Sequence, residues 1–272
     1  MMKFVKRLNL LSIDVVVGAM VCNALFWKLP DGKSPINYLN TVVLGLSIFV
    51  IYTLDRLLDN RKPTQVPTER HLFHQHYERV LWPSVCAILV SILCLLFYLP
   101  IIAILIGSLI AFVTILYLWI VSKLQDNSSY QYGKEFITTW VYTAGVWGTT
   151  IPHAINGCYG LLFMLIVFQN LLVFSWCEQR KFPTVYSLAS FLGENKTKNV
   201  IIFIFIVLFL GSVFSLVHST NHFQQQVAIL FIIMSFILMI IPLYASFFLK
   251  KDRYRWIGDG VFLLPTLLLL IA

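Results

Sequence analysis

Asp55 and Asp59 are the residues whose types and spacing suggest chemistry. They lie four apart in the stretch from Ile51 to Arg79, IYTLDRLLDNRKPTQVPTERHLFHQHYER. On a helix, that spacing puts both carboxylates on one face, about 6 Å apart. At an effective dielectric near 20, they repel by roughly 3 kcal/mol. A cation is therefore expected beside them. Arg56, Arg61 and Lys62 supply it in one reading, as salt-bridge partners at a membrane-helix end. In the other, the cation is Mg²⁺, which takes oxygen ligands from one or two carboxylates, from water and from phosphate. Arg61, Lys62, Arg70 and Arg79 fit a phosphate or lipid-headgroup role, or simple anchoring on the positive side of a membrane. His71, His74 and His76 form an HxxHxH pattern, but no carboxylate or cysteine at fixed spacing supports a transition-metal site.

The elements that position these residues are membrane helices. Of the 272 residues, 59% are hydrophobic and 12% charged, and the mean hydropathy is +0.82. This excludes a water-soluble globule. Apolar runs of bilayer-crossing length recur throughout. They predict nine spans in a single domain over residues 1–272: 10–29, 36–58, 80–99, 101–122, 134–151, 159–177, 200–218, 226–249 and 256–272. Pro30, Pro63, Pro67, Pro100 and Pro152 punctuate them. The basic N-terminal segment resembles a signal peptide, but without a convincing cleavage site it reads as the start of a retained first helix. With the N-terminus inside, nine spans place 18 of the 20 Lys and Arg residues on the cytoplasmic side and leave only Lys28 and Lys33 outside. That is the asymmetry of the positive-inside rule. The C-terminus is then outside, and any polar site opens to the cytoplasm. The formal charge of +8 is read as topology and attraction to anionic lipid, not as a nucleic-acid signature.

Polar residues inside spans are functional candidates by default. Asp14, Asn23 and Asp259 are such residues, with ion pairs to Arg7 or Arg255 as the alternative for the two acids. Glu135 opens the fifth span, where an acid suits the helix dipole. Trp140, Tyr142, Trp147 and Trp176 are candidates for lining an apolar cavity. Cys22, Cys86, Cys94, Cys158 and Cys177 lie in or beside apolar runs without a CxxC pair, and read as buried packing residues. No Gly-rich phosphate loop or Ser-His-Asp set is present.

The DRLLD of Asp55–Asp59, at the cytoplasmic end of a second span, resembles the first motif of the UbiA superfamily of intramembrane prenyltransferases. That motif reads NDxxDxxxD. Its positions fall here on Ile51, Tyr52, Asp55 and Asp59, so the leading Asn-Asp pair is absent. The resemblance covers the chain: polar segments after spans two and six, Lys134-Glu135 opening span five, and RWIGDGVFLLP (255–265) opening span nine. The segment Arg70-His71-Leu72-Phe73-His74 is similar to a divergent bacterial branch. The resemblance implies an all-α bundle with a cytoplasm-facing cavity in the inner membrane. It also implies Mg²⁺-dependent transfer of a prenyl group from a polyprenyl diphosphate to an aromatic or lipidic acceptor. Asp55 and Asp59 would be catalytic metal ligands. The second family motif, DxxxD at the end of helix six, falls in NLLVFSWCEQRKFP, where Glu178 stands for the first acid and Phe182 occupies the place of the second. Asn170 lies eight residues before Glu178. Arg56, Arg61, Lys62, Arg70, Asn170, Arg180 and Lys181 would hold the diphosphate. Loss of the second motif leaves two alternatives: a single-metal enzyme, or a catalytically silent scaffold or carrier that binds lipid phosphate.

Overall fold

A computed structural model describes residues 9–59, 69–123, 133–151, 157–183, 187–219 and 221–271. The described residues are helical, without strands. Five helices are long and apolar enough to cross a membrane: Tyr38–Leu58, Glu78–Leu96, Gly157–Lys181, Glu194–His218 and His222–Leu243. The chain is thus an all-α, multi-pass membrane protein. It separates into two compact units, one of Met1–Met20 with Asn37–Leu124, the other of Val21–Ile36 with Gln125–Ala272. Helix α1 (Ile13–Lys28) contributes to both.

In the first unit, α2 (Tyr38–Asp59) is followed by α3 (Glu69–His76), α4 (Glu78–Leu96) and α5 (Ile101–Lys123). Helix α2 packs on α3, α4 and α5. Its Gly45 faces Met20 and Val16 of α1. Leu57, Leu81, Val85 and His74 are buried, whereas Val90, Leu93, Leu105, Leu109 and Phe112 are exposed. An outward apolar surface on α4 and α5 is what lipid contact requires. It also explains why Cys86 and Cys94, expected to be buried, are exposed: both lie on α4, whose packing partners cover only one stripe. Cys158 is exposed too, while Cys22 and Cys177 are buried.

The second unit is built around α7 (Gly157–Lys181), which packs against α6 (Lys134–Thr143), α8 (Leu188–Leu192), α9 (Glu194–His218), α10 (His222–Leu243) and α12 (Arg253–Gly260). Phe163 is its aromatic hub, edge-on to Phe26 at 5.3 Å and to Phe262 at 6.0 Å, with Phe231 tilted at 6.2 Å. Gln169 is wholly buried at mid-helix. Its Nε2 donates to the carbonyls of Ile201 and Ser235, 3.3 Å each, and its Oε1 accepts from the Ser235 hydroxyl at 2.7 Å. One amide thus ties α7 to α9 and α10, where apolar contact alone would be no better than lipid.

Several expected spans are interrupted. Helix α6 passes into a π-helical turn at Ala144–Gly148. There Asn23 of α1 donates to the Val146 carbonyl at 2.8 Å and to Thr149 Oγ1 at 3.3 Å. The eighth span ends early. Pro242 lacks an N–H, α10 stops at Leu243, Tyr244 leaves helical geometry (φ −113, ψ 46), and α11 (Ala245–Leu249) begins afresh. The ninth divides into α12, a 3₁₀ turn at Val261–Leu263, and α13 (Pro265–Leu269) with Pro265 in its first turn.

Candidate functional site

The candidate residues fall in both units. In the first, α2 continues without a break to Asp59. Asp55 and Asp59 therefore share a face at the helix end, and the Asp55 side chain is half-buried. Arg56, next in sequence, is also half-buried. Two carboxylates one turn apart suit a hydrated Mg²⁺ that completes its shell with water and phosphate oxygens. Arg61 and Lys62 lie outside the described residues. Arg70 is in the first turn of α3, and its side chain, with those of Asp59 and His71, is outside the described set. His74 is buried, with its ring edge-on to Phe73 at 5.8 Å, whereas His76 is exposed against Tyr77. These two imidazoles do not converge. Among the described residues, no group of three or more His, Cys, Asp or Glu side chains could hold an ion.

In the second unit, α7 ends with Glu178, Arg180 and Lys181, of which the two basic residues suit the helix C-terminus. Pro183 follows. Each of the three charged side chains has a specific partner. Glu178 Oε1 accepts from Arg255 Nη2 at 2.8 Å, and Arg255 Nε donates to the Tyr254 hydroxyl at 3.0 Å. Arg180 Nη2 meets Glu194 Oε1 at 3.1 Å while its guanidinium lies 5.0 Å from the Trp176 ring centre. Lys181 pairs with Asp252 and lies over the Tyr254 ring. Arg255 thus pairs with Glu178, a contact 77 residues apart in sequence that spacing could not disclose. Burial pulls its guanidinium down, but the Glu178 carboxylate and the Tyr254 hydroxyl that accepts from it hold it above its ordinary value. Burial pushes the Tyr254 phenol up, against the lowering effect of Arg255.

Asn170 is buried in α7, facing α12. A Cβ at Gly258 would meet Phe174 at 2.5 Å and Asn170 Oδ1 at 2.7 Å, so the backbone of α12 approaches α7 as only glycine permits. Asp259, beside it, is buried as well. Glu135 does more than open α6. It is buried, and its Oε1 accepts from the Leu188 N–H at 3.1 Å. The Ala189 N–H donates to Ser175 Oγ at 3.2 Å and the Ser190 N–H to Ser187 Oγ at 3.2 Å. Side chains from α6, α7 and the turn before α8 thus bind the first three amides of α8.

The four aromatic candidates do not form one lining. Trp140 is 64% exposed, Tyr142 stacks on Phe163 at 6.3 Å, Trp147 lies on Gly160, and the Trp176 indole donates to the Glu194 carbonyl at 3.1 Å. Asp14 accepts from Asn9 Nδ2 and from the Val15 N–H. Gln169 escaped the sequence reading although it adjoins Asn170. A polar residue inside an apolar run was the signal that could have found it.

No protein-family model, no curated protein and no solved structure matches this chain.

Proposed function

We propose that the chain is a Mg²⁺-dependent intramembrane prenyltransferase of UbiA type. In this reading it crosses the bacterial inner membrane nine times, with the N-terminus cytoplasmic and the C-terminus outside. The observation that carries the proposal is α2: an apolar span, helical to its last residue, with Asp55 and Asp59 one turn apart at its end. The pair would hold Mg²⁺, which neutralises a diphosphate leaving group when bound. Arg56, with Arg61, Lys62 and Arg70 downstream, would bind the phosphate oxygens. The allylic C–O bond breaks, diphosphate departs with the electron pair, and an aromatic or lipidic acceptor captures the prenyl cation and loses a proton to water.

Glu178 fits a direct metal role less well, because Arg255 already neutralises it at 2.8 Å. The same pairing favours the second reading, a catalytically silent membrane scaffold or carrier that binds lipid phosphate. Incubation of the purified chain with allylic diphosphates of graded length, with and without Mg²⁺, separates the two. The enzyme reading expects Mg²⁺-dependent consumption of substrate that falls at least 100-fold in Asp55→Asn and in Asp59→Asn, a loss of about 3 kcal/mol of transition-state stabilisation. Binding without turnover selects the silent relative. Behaviour identical in wild type and both variants sinks the enzyme.

A further inference from the structure

The end of the second unit where α7 finishes, α9 begins and α11 meets α12 carries a charge arrangement that the proposed chemistry does not use. From Glu178 to Asn199 and from Lys250 to Arg255 there are eight basic residues and three acidic ones. Each acid has a basic partner: Glu178 with Arg255, Glu194 with Arg180, Asp252 with Lys181. These pairs place both segments at one end of the unit, because α7 supplies a member of every pair. Among the described residues no ion pair reaches Lys196, Lys198, Lys250 or Lys251; Lys196, Lys250 and Lys251 are exposed and Lys198 is half-exposed. Arg253 lies 4.2 Å over the Phe247 ring.

The backbone between α11 and α12 is unusual as well. Lys251 (φ 57, ψ 31) and Asp252 (φ 54, ψ 33) are consecutive left-handed residues, and neither is glycine. Such geometry costs about 1 kcal/mol per residue or more, and persists where surrounding contacts enforce it. The Lys181–Asp252 pair and the Arg253–Phe247 contact flank this step. Together they fix the Lys250-Lys251 pair in an exposed turn. With its acids neutralised, this face has no free carboxylate to recruit a metal and an excess of five positive charges to attract an anion directly.

We infer that this face binds a phosphate headgroup without a metal ion, through Lys250, Lys251, Lys196 and Lys198. The ligand chemistry is a phosphate monoester or diphosphate, carried by an anionic lipid or by a soluble molecule. Positive-inside anchoring explains the number of cations here. It does not explain the pairing of every acid or the enforced left-handed turn. The inference does not rest on prenyl transfer, and it survives loss of the Asp55 site.

The test uses the full chain in nanodiscs, in EDTA. One arm titrates inorganic diphosphate into phosphatidylcholine discs. The other measures binding of a short-chain fluorescent phosphatidic acid, with its phosphatidylcholine analogue as control. Wild type is expected to bind one or both phosphate probes and to weaken as salt rises. The Lys250→Gln/Lys251→Gln double variant should lose affinity about 30-fold, since each lysine near the surface contributes about a fivefold factor. Glu194→Gln, which frees Arg180, should tighten binding, a direction that misfolding cannot imitate. Lys33→Gln, a cation removed at the opposite end of α9 and α10, where Asn221 donates to the Pro30 carbonyl, should change nothing. Binding of diphosphate alone identifies a soluble phosphate, binding of phosphatidic acid alone a lipid. No binding until Mg²⁺ is added, or equal binding by wild type and the lysine variant, overturns the inference.

Discussion

Glycine contacts give the sharpest expectations at the scale of single residues. A Cβ on Gly160 would enter the Trp147 indole at 2.4 Å, and one on Gly258 would meet Phe174 at 2.5 Å. Both contacts are well inside van der Waals distance of a bulky, rigid ring, so Gly160→Ala and Gly258→Ala should each destabilise by about 1–3 kcal/mol. Gly45→Ala meets the end of the flexible Met20 side chain, and should cost under about 1 kcal/mol. Thermal unfolding in one detergent ranks the three variants; equal midpoints would contradict the assignment. Tyr254 gives a pH expectation. Its folded-state value lies above the ordinary ~10, so the phenol contributes stability that is complete below about pH 10 and is lost as pH rises through the raised native value. Alkaline melting curves of wild type should therefore fall more steeply than those of Tyr254→Phe. Parallel curves would show that the phenol is not held neutral.

Caps and clamps decide the outcome for whole elements. Helix α8 has only five residues, and its amides depend on Glu135, Ser175 and Ser187. Ser187→Ala should cost about 1 kcal/mol and make the α8 amides exchange faster with deuterium. Unchanged exchange would show that packing alone holds α8. Gln169→Leu removes three hydrogen bonds between α7, α9 and α10. Intramembrane bonds of this kind contribute about 0.6 kcal/mol each, so a loss of about 1–2 kcal/mol is expected in SDS titration. The long apolar runs made α2, α4, α7, α9 and α10 legible in the sequence, with ends displaced by a few residues. The breaks at Tyr244 and in the π turn were not legible, since Pro242 is compatible with a kink as well as a stop, and a π turn leaves no mark on an apolar pattern.

For the whole molecule, topology is the quantity to measure. Charge placement expects a cytoplasmic N-terminus and an external C-terminus, so alkaline phosphatase fused after Ala272 should be active and a fluorescent protein there dark. The reverse pattern would remove the nine-span reading. The candidate site was only half legible. Asp55 and Asp59 announced themselves by spacing within one helix, and the cations after them by composition. The state of Glu178 did not, because the partner that neutralises it enters from α12, beyond the reach of any local pattern. The same holds for the lysine-rich end of the second unit, whose acids look free in sequence and are paired in space.

The Gln169 clamp also constrains how the second unit can move. It fixes the axial register of three helices at once. A slip of α7 by one turn would leave an amide and a hydroxyl facing hydrocarbon, at a cost of about 2 kcal/mol in lost bonds before any packing is counted. Sliding is therefore the least accessible motion. Bending is instead favoured at Tyr244, where the backbone leaves helical geometry (φ −113, ψ 46) and the side chain is exposed. Helix α12, held to α7 by the Glu178–Arg255 pair and the close approach at Gly258, stays in phase with α7, α9 and α10.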